Sequence, residues 1–154
     1  MNSTLIRRLS LSLLLAAGTG SAWAASSTAA APTLGASQCW VRLMPGKLPS
    51  AGYLTLHNAG AKAVVVDQVS ADGFGMAMMH ETQSMGTASR MVMLDSVSVA
   101  PGQSVSFAPG GKHLMLEQAQ AGLKAGGHIA LRLHTTDGDT LSVPCELKSP
   151  ATTR

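Results

Sequence analysis

The sequence predicts an all-β domain, a Greek-key β-sandwich of the immunoglobulin-like kind. Three observations predict it. Nine short runs carry β-type patterning within about 110 residues. Clusters of Gly, Pro, Asn and Asp separate them, and no stretch sustains a helical period over three turns.

The chain opens with a basic segment ending in Arg7-Arg8, an apolar run from Leu9 to Ala17, and small residues closing at Ala22-Trp23-Ala24. This is the layout of a secretory signal over residues 1–24, cleaved after Ala24. The apolar run is shorter than the roughly 20 residues that cross a bilayer. Arg7-Arg8 fits a twin-arginine signal poorly. No second apolar run follows, so the expectation is a soluble periplasmic monomer with no membrane insertion. Residues 25–37 are Ala, Ser, Thr, Pro and Gly with few large apolar groups, and read as a flexible linker. The folded domain is expected over residues 38–148, with residues 149–154 a disordered tail.

Within that domain the first strand is Cys39 to Met44, closed by Pro45-Gly46. Ala51 to Asn58 alternates polar Tyr53, Thr55 and His57 with Leu54 and Leu56, and Ala63 to Val69 is rich in β-branched residues. Met76 to Thr82 and Arg90 to Val97 flank a turn at Ser84-Met85-Gly86-Thr87. Ser104 to Phe107 runs into Pro109-Gly110-Gly111, which delivers His113 to Gln118. Ala119 to Ala125 has room for one helical turn. His128 to Thr135 and Leu141 to Leu147 flank Asp137-Gly138-Asp139 and read as a hairpin.

Charge and composition exclude several function classes. Once Arg7 and Arg8 leave with the signal, nine basic residues face eight acidic ones, so the high whole-chain pI says little about the mature surface. With no basic cluster, one Tyr and two Phe, nucleic-acid binding has neither an electrostatic footprint nor a stacking platform. There is no GxSxG or HExxH pattern, and few acidic groups lie near the histidines, so no hydrolase or other enzyme is indicated.

The chemistry concentrates between residues 76 and 115. Seven of the nine methionines fall there, as do His80 and His113. Thioether sulfur is a soft neutral donor, and thioether mixed with imidazole favours Cu(I); imidazole also accepts Cu(II). Zinc prefers Cys, His or carboxylate. If Met85-Gly86 is the centre of the turn, His80 lies opposite Met91 and Met78 opposite Met93, all on one face. His113 and Met115, two residues apart, share a face of a third strand. A cup of His80, Met91, His113 and Met115 then needs only that this strand approach the hairpin.

The spacing is His80, ten residues, Met91, twenty-one residues, His113, one residue, Met115. It resembles the signature of the PCuAC family of periplasmic copper chaperones. Cys39-Trp40-Val41-Arg42, Ala51-Gly52-Tyr53-Leu54 and the run from Pro109 to Leu116 are similar too, so the resemblance covers Gln38 to Leu147. It implies a cupredoxin-like sandwich that binds copper at those four residues and hands it on. The implied acceptor is the binuclear copper centre of cytochrome c oxidase subunit II, with other periplasmic copper carriers as further partners. The two cysteines and the added methionines Met76, Met78, Met79, Met85 and Met93 depart from the family motif.

Each remaining residue has a plain reading beside a functional one. Met78 and Met93 are expected to pack beneath the site, and together with Met85 are the candidates for an accessory metal or supporting role. His57, His128 and His134 lack a soft neighbour in sequence. Glu81 and Arg90 read as solvated charges. Cys39 and Cys145, exported and in the first and last strands, read as a disulfide closing the domain; a copper thiolate is the alternative. A blue-copper site needs His and Met shortly after its Cys, and Cys145 is followed by neither. The rival to a carrier is a copper-sequestering protein with no dedicated acceptor.

Overall fold

The structure, a computed structural model, describes residues 33–153. The expected signal over residues 1–24 and the first part of the expected linker lie outside the described residues. Ten strands follow one another: β1 (Leu34–Arg42), β2 (Ser50–Asn58), β3 (Val64–Ala71), β4 (Phe74–Met85), β5 (Ala88–Leu94), β6 (Val97–Val99), β7 (Ser104–Phe107), β8 (Lys112–Ala119), β9 (His128–Thr135) and β10 (Thr140–Lys148). The described residues contain no helix: Ala119 ends β8, and turns at 121–122 and 125–126 follow it. The pairing order is β5-β4-β8-β2-β1-β10-β9-β3-β6, with β7 also on β2. β3 and β4 come into contact without pairing, so the sheet closes over one core.

That core is the inward half of each alternating strand: Val41, Leu54, Leu56, Val66, Leu114, Leu116, Leu131 and Leu133 are all within 1% of complete burial. Asn58 is the polar exception. Its Nδ2 donates to the Lys62 and Val99 carbonyls and its Oδ1 accepts from the Gly60 amide. These bonds tie the end of β2 to the loop before β3 and to β6. Asn58→Ala leaves those buried backbone groups unpaired and is expected to cost about 2–4 kcal/mol in equilibrium denaturation.

Two boundaries differ from the sequence reading. β1 begins at Leu34, so residues 34–37, expected in the linker, pair with Asn58 to Thr55 of β2. Their β propensity is low, and the partner strand supplies what the local sequence does not. A bulge between Ser37 and Trp40, with Gln38 at φ 54°, adds one residue to β1. The extra residue reverses which face odd positions take, so Cys39 and Val41 join the core while Trp40 and Arg42 turn outward. At the other end, residues expected in a disordered tail form a turn, and the Arg42 Nε donates to the Thr152 carbonyl.

The run expected as one strand from Arg90 to Val97 is divided at Asp95-Ser96 into β5 and β6, which lie at opposite ends of the pairing order. Cys39 and Cys145 form a disulfide between β1 and β10, their Cα atoms 4.6 Å apart.

Candidate metal centre

Three adjacent strands build the site: β5, β4 and β8. The β4–β5 turn decides its register. Gly86 has φ 65°, while Thr87 is not in the left-handed region. That is the pattern of a two-residue type II′ hairpin, which wants glycine at its first central position. The turn is therefore Gly86-Thr87, with Met85 opposite Ala88. The Met85-Gly86 centre expected from sequence is corrected by this, and so are the pairs derived from it. His80 is opposite Met93, and Met91 is opposite Thr82. Because the correction moves the partner by two residues, Met91 keeps the same face as His80 and becomes its diagonal neighbour.

β8 supplies the second imidazole by pairing directly with β4. His113 is opposite His80 and Met115 opposite Met78. Directly opposed Cβ atoms lie about 5 Å apart and diagonal ones about 7–8 Å, within reach of long side chains. Ala77, Met79, Leu114 and Leu116 belong to the core. Alternation then puts Met78, His80, Met91, Met93, His113 and Met115 together on the outward face. The four residues expected as ligands are thus brought to one face of three neighbouring strands. Met85 is not: its odd position in β4 places it on the other face, at the exposed end of the hairpin.

The imidazole rings are stacked, with centroids 6.0 Å apart and an interplanar angle of 23°. Both histidines are only 8% exposed, whereas Met91 and Met93 are 54% and 59% exposed. Met93, expected to pack beneath the site, stands open to solvent beside it because β5 is the edge strand. His113 Nδ1 lies 3.0 Å from the Gly111 carbonyl. A carbonyl can only accept, so Nδ1 carries the proton and Nε2 keeps its lone pair. The same carbonyl accepts the Thr82 amide, which locks the entry of β8 against β4. Gly111 is the residue that sequence reasoning missed; its signal was the Pro109-Gly110-Gly111 turn two residues before a candidate ligand.

His80 has the opposite circumstance. Among the described residues its buried Nδ1 finds no hydrogen-bond partner, an omission worth about 1–3 kcal/mol. Desolvation, then the nearby His113, hold its pKa below the ordinary 6.5, against a raising influence from Glu117. A neutral, under-satisfied imidazole is what a metal ligand requires. Among the described residues no three His, Cys, Asp or Glu side chains converge. The residues that neighbour His80 and His113 across and along these strands include Met78, Met91, Met93 and Met115, whose thioethers suit a soft ion.

The other expected minor residues sit elsewhere. His57 Nδ1 bonds Ser104 Oγ and His134 Nδ1 bonds Thr140 Oγ1, on β2 and β9; His128 opens β9. Glu81 pairs with Lys112 across β4 and β8, on the inward side of the strands at their open end. Lys112 lowers the Glu81 pKa, chiefly by its hydrogen bond and then by its charge.

Comparison with known proteins fits this arrangement. Residues 34–147 match the family described as "Putative lipoprotein LpqE-like". The chain belongs to this family, the PCuAC family. A relative named "Putative lipoprotein Lxx21020" from Leifsonia xyli is 29% identical over 113 residues, covering 73% of this chain and 68% of that protein. The copper-bound PCuAC domain of PmoF2 superposes with a TM-score of 0.64 at 18% identity, over 77% of this chain and 94% of that one. The solution structure of Cu(I)-loaded DR1885 from Deinococcus radiodurans gives 0.60 at 25% identity, over 85% and 87%. PCuAC domains have a cupredoxin-like β fold, and this chain shares it. In this PCuAC chain the two histidines lie in the middle of that fold's outward β5-β4-β8 face, and the methionines surround them.

Proposed function

We propose that this protein is an exported copper carrier, not an enzyme. It holds one Cu(I) through His80, Met91, His113 and Met115 and passes it to an acceptor in the periplasm. The observation that carries this reading is the direct opposition of His80 and His113, on a face that has methionine on both flanks. The copper-loaded structures among its relatives support the choice of metal.

The residues explain how such a carrier works. Four neutral donors hold a monovalent cation without adding charge, and the Gly111 carbonyl fixes the His113 ring. Solvent-exposed Met91 lets an acceptor approach from the β5 edge. Handover is ligand exchange: bonds from copper to thioether and imidazole break as bonds to the acceptor's thiolates form, with no change of oxidation state. The acceptor we assign is the binuclear copper centre of cytochrome c oxidase subunit II. The test mixes Cu(I)-loaded protein anaerobically with the soluble copper-accepting domain of that subunit and follows the metal through separation of the two. Movement of copper to the acceptor is expected. Retention of copper under excess acceptor would contradict the carrier reading and favour sequestration.

Affinity should depend on pH in a defined sense. Copper competes with a proton for the His80 imidazole, whose pKa is held below 6.5, so Cu(I) affinity is flat at neutral pH and falls only as the pH drops toward that lowered value. The metal-free protein follows the same sign. The unfolded chain takes up the His80 proton near 6.5 and the folded chain only at lower pH. The stability contributed by neutral His80 is therefore complete above pH 6.5 and is lost as the pH falls toward the folded value. Thermal midpoints of the metal-free protein between pH 7.5 and 5 check this.

A further inference from the structure

Of the five large apolar side chains exposed among the described residues, four are methionines: Met76, Met85, Met91 and Met93. Exposed thioethers contribute nothing to the core, so packing does not explain them. Three of the four, with half-buried Met78, lie on the same outward face as His80.

Met78 is the centre of this second group. It faces Met115 directly across β8, has Met76 two residues away along β4, and has Met93 as its diagonal neighbour on β5. The Leu94–Met79 pair is the last of the β4–β5 ladder. Asp95 follows it, so the chain brings that carboxylate alongside Met78. Met78, Met93 and Asp95 in fact line one cleft of about 240 Å³, together with Asp67 and Gln68 from the bulge in β3. Two outward-face methionines, Met78 and Met93, and two carboxylates, Asp67 and Asp95, thus line one solvent-open space next to the histidine row.

We propose that this cleft is a second soft-cation site, taking Cu(I) or Ag(I) on the Met78 and Met93 thioethers with Asp95 as the balancing anion. The carboxylate has a physical reason to be there. A second cation beside an ion already held by neutral ligands is repelled by it, and a negative group next to Met78 offsets that repulsion. With fewer donors and more solvent, the second site is the weaker of the two. It lies beside the histidines along β4, where the end of β5 meets the bulge of β3. The proposal rests on the reading of His80 and His113 as the tighter site.

The test is an anaerobic titration of the exported protein with Cu(I), and separately Ag(I), against a competing chelator. The native protein should bind two equivalents, the second more weakly. Met78→Leu with Met93→Leu keeps apolar volume and should bind one equivalent with the first affinity unchanged. Asp95→Asn, which touches no packing, should weaken the second equivalent roughly threefold to fivefold and leave the first alone. Saturation of the native protein at one equivalent overturns the proposal. So does a leucine variant that loses the first equivalent, since Met78 and Met93 would then belong to the histidine site. Failure of the carrier reading looks different: the tight equivalent would survive His80→Ala with His113→Ala.

Discussion

His80→Ala combined with His113→Ala weakens the tight Cu(I) equivalent by at least a hundredfold, about 3 kcal/mol. The expectation follows from the donor set. Removing both imidazoles leaves thioethers alone, which bind Cu(I) weakly and cannot replace the nitrogen donors at the same point. Each histidine is nearly buried on a sheet face and not in the core, so the substitutions should not unfold the protein. The variant with Met91→Leu and Met115→Leu provides the complementary loss, with the apolar volume preserved. Competition titrations against a chelator of known affinity measure both. A protein whose tight binding is indifferent to the histidines would place the metal elsewhere.

The second large effect concerns the fold. Cys39→Ala with Cys145→Ala opens a loop whose ends are 106 residues apart in sequence. In the chain-entropy account, closing such a loop contributes about 4–5 kcal/mol. For a domain of this size that corresponds to a fall of roughly 10–20 °C in the thermal midpoint. Cu(I) affinity at 20 °C should be unchanged in the same variant, because β2 separates β1 from β8 in the pairing order. The alternative in which these cysteines form a copper thiolate makes the reverse prediction: large loss of copper, with the disulfide contributing nothing. Denaturation with and without reductant, beside a titration, separates the two.

The class of fold was legible because strand alternation and turn chemistry are local. Leu54 and Leu56 against Thr55 and His57, or the Asp137-Gly138-Asp139 hairpin, mark their own structure. What escaped was set by partners. Residues 34–37 become strand because β2 lies beside them, not because Ala, Gly and Ser favour it. The break at Asp95-Ser96 sends β5 and β6 to different neighbours, and no local pattern announces that.

The site was legible in composition and spacing but not in register. The outward face was read correctly for His80 and Met91, because an error of two residues preserves side-chain direction. The neighbour of His80 was read wrongly, because one glycine was assigned to the second central turn position instead of the first. The exposure of Met93 escaped for a different reason: it follows from β5 being the edge strand, which no local pattern announces. The opposition of His80 and His113 depends on β8 pairing with β4, a contact between segments more than thirty residues apart, and strand pattern alone does not choose that partner.

The most direct test of the central claim is the methionine-methyl NMR spectrum of the exported protein as one equivalent of Cu(I) is added. The account predicts that the Met91 and Met115 methyls move with that first equivalent, while Met44, buried Met79 and Met85 at the hairpin end do not. A first equivalent that moves no methionine methyl, or that moves Met44 or Met85 in place of Met91 and Met115, would contradict it.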